Sequence, residues 1–340
     1  MVKYVVRRIL YMILVLVILS LIMFFLYNLI PYDRAASAAR AEVTNNKTVK
    51  LDYDTVYLKY QRLYGTDGST MDRYLRWVGV KPYYNGEKKG ILQGYMGYSI
   101  TYAKDVTEVI STPMRNTVRI NLIATVVALA ITIPLGIACA VKRGSVFDNG
   151  TQIFTIIGYS IPVFIIAILF IWVFSGTLHW FPASGMGTAG EKYTGIKAFN
   201  DWLYYMALPL IVMTFCSLGG MTRYVRASMI EALSMDCIRT ARAKGLKERT
   251  VIFSHAFRNA LIPIVTLVIG WFLGIFSGSL MVESIFGLNG VGKLLISSLK
   301  TGDYEVVLCL QMFYVLIALL GNMVIDLAYG IIDPRIRVSK

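Results

Sequence analysis

Residues 120–141 read INLIATVVALAITIPLGIACAV, 22 positions without a charged side chain. A bilayer core about 30 Å thick takes roughly 20 apolar residues of α-helix to cross. Five more charge-free runs of that order occur at 9–30, 151–176, 202–222, 259–282 and 306–325. The reading is an all-α polytopic membrane protein with six transmembrane helices. A closed barrel, the other structure able to span lipid, shows alternating segments of about 10 residues instead of continuous runs. Composition agrees, because 56% hydrophobic residues over 340 positions is too apolar for a soluble chain.

The formal net charge is +14, yet the basic residues do not form one stripe with interleaved aromatics, so nucleic acid is not an expected partner. Their placement follows the rule that cytoplasmic connections are rich in Lys and Arg. Lys3, Arg7 and Arg8 precede the first run, Lys142 and Arg143 follow the second, and Arg335, Arg337 and Lys340 follow the sixth. Residues 223–258 hold eight Lys or Arg against three acidic residues. Both termini and this connection are therefore expected in the cytoplasm, the rest of the chain lying in and beyond the membrane. Arg115 and Arg119, at the outer end of the second span, run against the pattern.

The chain divides into 1–30, a cytoplasmic N-terminus with the first span; 31–113, an extracellular segment; and 114–340, a five-helix core. The first span is expected to be a retained anchor, since its 22 apolar residues exceed the 7–15 of a signal peptide even though Ala36-Ser37-Ala38 resembles a cleavage site. Residues 31–113, with 12 basic and 9 acidic side chains, are long for a loop and are expected to form short helices. One, at 53–64, places Tyr53, Tyr57, Tyr60 and Tyr64 in an aromatic stripe. Its expected contact is the outer face of the membrane core, the alternative being an external partner.

Several patterns carry no chemistry. Gly287 to Lys293 fits a phosphate loop, but Leu294 stands where a Ser or Thr is needed for magnesium, and no strand precedes it. Gly185, Gly187 and Gly190 fit a dinucleotide fingerprint without a βαβ unit around them. The sequons at Asn46 and Asn149 are three-residue patterns that recur by chance. Four cysteines lack close metal-ligand spacing, and His179 and His255 fall on opposite expected sides, so no metal is anticipated. No catalytic cluster is found.

Between the fourth and fifth spans lies Asp236-Cys237-Ile238-Arg239-Thr240-Ala241-Arg242-Ala243-Lys244-Gly245, a short polar helix at about 235–245. Asp236 suits a helix start, Gly245 a left-handed stop, and Arg242 with Lys244 the negative end of the macrodipole. Two turns are marginal alone, so the helix needs something to pack against, and a partner protein is expected. Ala241 and Ala243 permit close approach in a groove, Ile238 supplies an apolar anchor, and Arg239 with Arg242 suits acidic groups on its rim. Pro134, Pro162 and Pro209 lie within spans, where they are expected to kink them and shape a pathway. Glu283 and Asp326 stand at or near span ends; Glu283 is expected to cap local structure, the outer mouth of the route being the alternative, and Asp326 to be an interfacial anchor or helix-end partner.

From end to end these residues resemble the permease subunits of bacterial ABC importers for dipeptides, oligopeptides and nickel. The resemblance runs through Leu29-Ile30-Pro31, Gly94, Gly97 and Ser99, then Pro113, Thr117, Ile133-Pro134-Leu135-Gly136, Ser160-Ile161-Pro162 and Phe181-Pro182-Ala183-Ser184-Gly185. Its most specific part is Arg226-Ala227-Ser228-Met229, the helix at 236–246 and His255-Ala256-Phe257-Arg258-Asn259-Ala260. Val282-Glu283, Asp303-Tyr304 and Asp333-Pro334-Arg335-Ile336-Arg337 complete it. Departures are Tyr32 after Pro31, Tyr95 between the external glycines and extra residues near 79–89.

The resemblance implies the six-helix type I importer permease fold with an extracellular insertion after the first helix. It makes 236–245 the coupling helix, supported by His255, Arg258 and Asn259, and it implies a second homologous permease, two ATPase subunits that bind ATP and magnesium, and an extracellular substrate-binding protein. This chain itself would bind no cofactor. It would form half of a peptide pathway, nickel or another small solute being the alternative cargo. From another class, an ion-driven carrier or channel would need charges in mid-membrane, and the mid-span positions are nearly uncharged.

Overall fold

The computed structural model describes residues 2–30, 33–45 and 52–332. Pro31, Tyr32, the sequon at Asn46 and the motif from Asp333 to Arg337, with Lys340, lie outside the described residues, as does the side chain of Lys3. In chain order the elements are α1 (Val2–Asn28), α2 (Arg34–Asn45), α3 (Tyr53–Tyr64), α4 (Thr70–Val78), a two-residue hairpin of β1 (Tyr98–Ser99) and β2 (Lys104–Asp105), α5 (Val106–Val141), α6 (Val146–Ser160) and α7 (Val163–Phe170). They continue with α8 (Gly195–Ser234), α9 (Asp236–Ala243), α10 (Glu248–Thr250), α11 (Phe257–Gly274), α12 (Leu280–Ile285), α13 (Val291–Thr301) and α14 (Tyr304–Ile332). Two compact units result, one of residues 1–111 with 295–316, the other of 112–294 with 317–340.

Among the described residues five helices are long and apolar enough to cross a membrane, and six if a pair bent by 102° is one span. That pair is Val146–Ser160 with Val163–Thr177, so the run at 151–176 is not one straight rod. Proline is the cause: Pro162 has no N–H to continue the ladder and forces the residue before it out of the helical region, and Ile161 sits at φ −84°, ψ 131°. Pro134 and Pro209, expected to act in the same way, remain inside the continuous helices α5 and α8. Pro113 and Pro263 also lie inside helices.

Helix ends depart from the apolar runs because a helix does not stop where lipid does. The second span begins at Val106 and carries Arg115 and Arg119 on its early turns. Arg119 lies 3.7 Å from the centroid of the Trp202 ring, which gives a cation near the membrane edge an aromatic face. The fifth span runs from Glu248 to Gly274 through a π-helical stretch at Val251–Ala256, and so stops short of the expected 282. In the turn that follows, Asn121 Nδ2 donates to the carbonyls of Ile275 (2.9 Å) and Ser277 (2.8 Å).

In the first unit α2, α3 and α4 are capped locally. Asp52 and Gly65 bound α3, which occupies the expected 53–64, and Ser69 with Asp72 forms a capping box on α4. Lys81 and Ser69 both bind Asp72, and their hydrogen bonds hold its carboxyl down to about 2. Within the first unit the tyrosine stripe meets α2 and the residue before it. Tyr57 donates to Asp33 (2.6 Å), Lys59 reaches Glu42 (3.0 Å), and Tyr53/Tyr57 and Tyr60/Tyr64 stack in pairs.

In the second unit α6 lies closely along α8. A Cβ on Gly158 would come 2.9 Å from the Phe215 carbonyl oxygen, and one on Gly219 would come 2.6 Å from the Tyr159 side chain. Small residues at a helix contact let backbones approach where lipid gives no hydrophobic drive to associate. An ion pair pins the same two helices: Arg226 Nε and Nη2 each donate to Asp148 at 2.7 Å, Gly144 N–H adds 2.9 Å, and Asp148 is fully buried. Replacing Arg226 by Ala leaves that buried carboxylate without its counter-charge, and the expected loss is about 3–5 kcal/mol. Thermal unfolding in detergent checks it, and an Asp148→Asn/Arg226→Met double variant should recover part of the loss. Gly158→Leu is expected to cost about 1–3 kcal/mol by overpacking in the same assay.

Candidate functional site

Helix α8 ends at Ser234, α9 begins at Asp236, and the single residue Met235, extended at φ −67°, ψ 147°, makes the corner. Met235 therefore holds the cap position, and no side chain caps α9. Asp236 is not the cap the sequence suggested; it is the first helical residue, where its charge still suits the positive helix end. Its carboxylate accepts from Arg239 Nη1 at 3.3 Å, an exposed pair one turn apart. At the other end Gly245 takes φ +75°, its N–H bonds the Arg242 carbonyl at 2.9 Å, and Leu246 N–H reaches Ala241 at 3.4 Å. Those two bonds form the glycine stop known as a Schellman motif.

Two residues three apart decide which way α9 faces. Ile238 is fully buried and Ala241 nearly so, in a cluster with Met229 and Ala232 of α8 and Val251 and Ala256 beyond the turn. The apolar anchor expected to enter a partner's groove is thus seated in the chain's own core. This contact is also what orders a helix of only two turns. What points outward is Arg239, Thr240, Arg242, Ala243 and Lys244, all exposed. Thr240 Oγ1 donates back to the Asp236 carbonyl at 3.0 Å. Arg242 donates to Glu248 at 2.6 and 3.2 Å, and those hydrogen bonds raise its pKa above the ordinary arginine value.

The residues expected to support α9 lie on the helix that follows. Asn259 bridges, with Nδ2 3.1 Å from the His255 carbonyl and 3.8 Å from Cys237 Sγ. His255 and Arg258 are exposed. The Arg226–Asp148 pair was missed by sequence reading. Its signal was the helix-start pattern Ser145-x-x-Asp148, realised as a 3.2 Å bond from Asp148 N–H to Ser145 Oγ.

Glu283 occupies a second polar centre in the same unit. It is buried, and its carboxylate accepts from Thr117 Oγ1 (2.9 Å) and Lys293 N–H (2.9 Å), while Val291 N–H donates to Thr117 Oγ1 (3.0 Å). Burial pushes the carboxyl up, against N–H donors that hold it down. The glycine pattern at 287–293 thus wraps an anion after all, and the anion is the chain's own Glu283 at the start of α13. This carboxylate is engaged with its own loop instead of facing an open route. His179 Nδ1 lies 2.9 Å from the Ser175 carbonyl, and no group of three metal-binding side chains exists among the described residues.

Similarity to known proteins covers the whole of this architecture. A profile described as the binding-protein-dependent transport system inner membrane component matches residues 132–338, and its N-terminal companion matches 1–121. The oligopeptide transport system permease protein AppB of Bacillus subtilis is 36% identical over 277 residues, 80% of this chain and 82% of that protein. The di/tripeptide transport system permease protein DppB of Pseudomonas aeruginosa is 34% identical over 291 residues, 81% and 83% of the two chains. A solved structure of the MetNI methionine ABC transporter, inward facing, aligns at TM-score 0.49 and 16% identity, covering 65% of this chain and 97% of that one. On the profile and the two relatives, this chain belongs to the inner membrane components of binding-protein-dependent transport systems.

Proposed function

We propose that this permease imports peptides and that α9 is the element through which separate ATPase subunits drive it. The observation that carries the reading is the division of α9 into two faces. Ile238 and Ala241 fix it to the core of its own unit, and the basic face from Arg239 to Lys244 is left outward. A helix bound that way transmits displacement, because what moves its outer face moves the buried one with it. Peptide as cargo rests on the transport named for the relatives AppB and DppB.

The full assembly pairs this chain with a second, homologous permease, two ATPases and an extracellular binding protein. ATP and magnesium belong to the ATPases. Both termini and α9 lie in the cytoplasm, the segment 31–113 lies outside, and 114–340 forms the core that carries the pathway. Closure of the ATPases then rocks the membrane helices between inward-open and outward-open arrangements as largely rigid bodies. Pro162, at the bend of 102°, is the proline best placed to shape the route.

Two measurements test this. Cys237 is the exposed cysteine of the four, on α9. A membrane-impermeant maleimide should label it in inverted vesicles and leave it unlabelled in intact cells; the opposite pattern refutes the orientation. Gly245→Val puts a branched side chain at φ +75°, and Asp236→Lys reverses the charge at the helix start. Each should lower peptide uptake at least tenfold in cells while the protein remains inserted and the purified complex still hydrolyses ATP. Uptake at the normal rate in both variants refutes the coupling role.

A further inference from the structure

The first unit holds a cavity of about 500 Å³, within the range of small-ligand sites. Its lining is of two kinds. Phe24 and Tyr27 are among the last residues of α1, and Leu308 is one turn into α14. The apolar run of α1 ends at Ile30, so at about 1.5 Å per residue Phe24 lies roughly 9 Å inside that end. The same lining carries Asp33, Arg34, Arg73 and Glu305. The cavity therefore combines an apolar floor from inside the run of α1 with four charged side chains.

Helix α4 is held at the same depth. Tyr74 and Ser20 of α1 share a 2.8 Å hydrogen bond between hydroxyls, and Tyr74 packs on Phe24 with ring centroids 5.5 Å apart. Ser20 is eight residues before Asn28, about 12 Å along the helix axis. An extramembrane segment has thus sent a helix down beside α1, and Trp77 of α4 joins the cavity wall.

Charge selects the occupant. Arg34 and Glu305 form an ion pair with each other. Asp33 accepts from Tyr57 at 2.6 Å and from Ala36 N–H at 3.1 Å, and keeps acceptor capacity. Arg73 has one weak contact, Nη2 to Thr70 Oγ1 at 3.4 Å, and its Nε is buried without a partner among the described residues. A phosphate is the acceptor that fits a guanidinium fork. With two cations and two anions, the lining is balanced for a ligand that is itself neutral.

The geometry points to a binding site for a zwitterionic phospholipid of the ethanolamine type, its phosphate on Arg73, its ammonium on Asp33 and the faces of Tyr27 and Trp77, and its acyl chains leaving past Phe24 and Leu308. A water-soluble peptide would have to be desolvated to reach that floor, whereas a lipid already carries its headgroup at this level. The bound lipid would join the ends of α1 and α14 to α4.

The test uses the full-length chain in its purified complex, exchanged into detergent and examined by native mass spectrometry during titration with phosphatidylethanolamine, phosphatidylglycerol, free phosphoethanolamine or a tripeptide. The wild type should retain one phosphatidylethanolamine per chain, Arg73→Ala should bind it at least tenfold more weakly with an unchanged thermal transition, and Arg73→Lys, which keeps the charge without the fork, should restore only part of the binding. If Arg73→Ala unfolds, Arg73→Lys and the competitors decide alone. Equal binding of phosphatidylglycerol overturns the zwitterionic assignment, and binding of phosphoethanolamine as tight as that of the lipid overturns the membrane source. Displacement by the tripeptide, or full retention in Arg73→Ala, overturns the site.

Discussion

Inside hydrocarbon a peptide group has no water to bond, so every interruption of a membrane helix must bring its own donors and acceptors. That constraint accounts for most of the polar chemistry in the second unit. At the bend before α7, Ile161 N–H closes onto Ile157 at 3.2 Å, and the Pro162 carbonyl accepts from Ile165 at 3.0 Å and Ile166 at 3.3 Å. Past Gly274 the carbonyls are taken by Asn121. Beyond α12 the amide of Lys293 is taken by Glu283, with Thr117 linking that carboxylate to Val291. Asn121, Thr117 and Glu283 are polar residues in apolar surroundings because the backbone is broken beside them.

A different shortage governs α9. Its cap is missing and its propensity is slight, so burial of Ile238 and Ala241 has to supply the stability. A fully buried side chain of Ile size contributes about 1.5–3 kcal/mol, comparable with what a short exposed helix lacks. The Gly245 stop and the Arg242–Glu248 pair then fix where the helix ends and how the chain leaves it.

The apolar runs were readable because lipid demands unbroken apolarity whatever the packing. Their true ends were not, since the turns of α5 before residue 120 and of α8 after 222 are polar yet stay helical. Pro162 and Pro134 look alike in sequence, and only packing distinguishes a break from a tolerated proline. Gly245 could be placed because positive φ is a local property. The facing of Ile238 could not, because one apolar stripe on a short helix fits the chain's own core as well as a neighbour's. Arg226 and Asp148 stand 78 positions apart, beyond any spacing rule.

Force applied to α9 has little slack to absorb it. Only Met235 separates it from α8, whose 40 residues extend about 60 Å, and Ile238 and Ala241 press on Met229 and Ala232 of that helix. Through the Asp148 pair and the contacts at Gly158 and Gly219, α8 carries α6 with it. In the proposed reading the angular change is taken up most readily where the helices are already interrupted. The interruptions are at Ile161–Pro162 and in the turn after Gly274. Hinges are commonly a few residues at element ends, and both sites have their backbone groups bonded without a continuous ladder. Each can therefore change direction without exposing a peptide group to lipid.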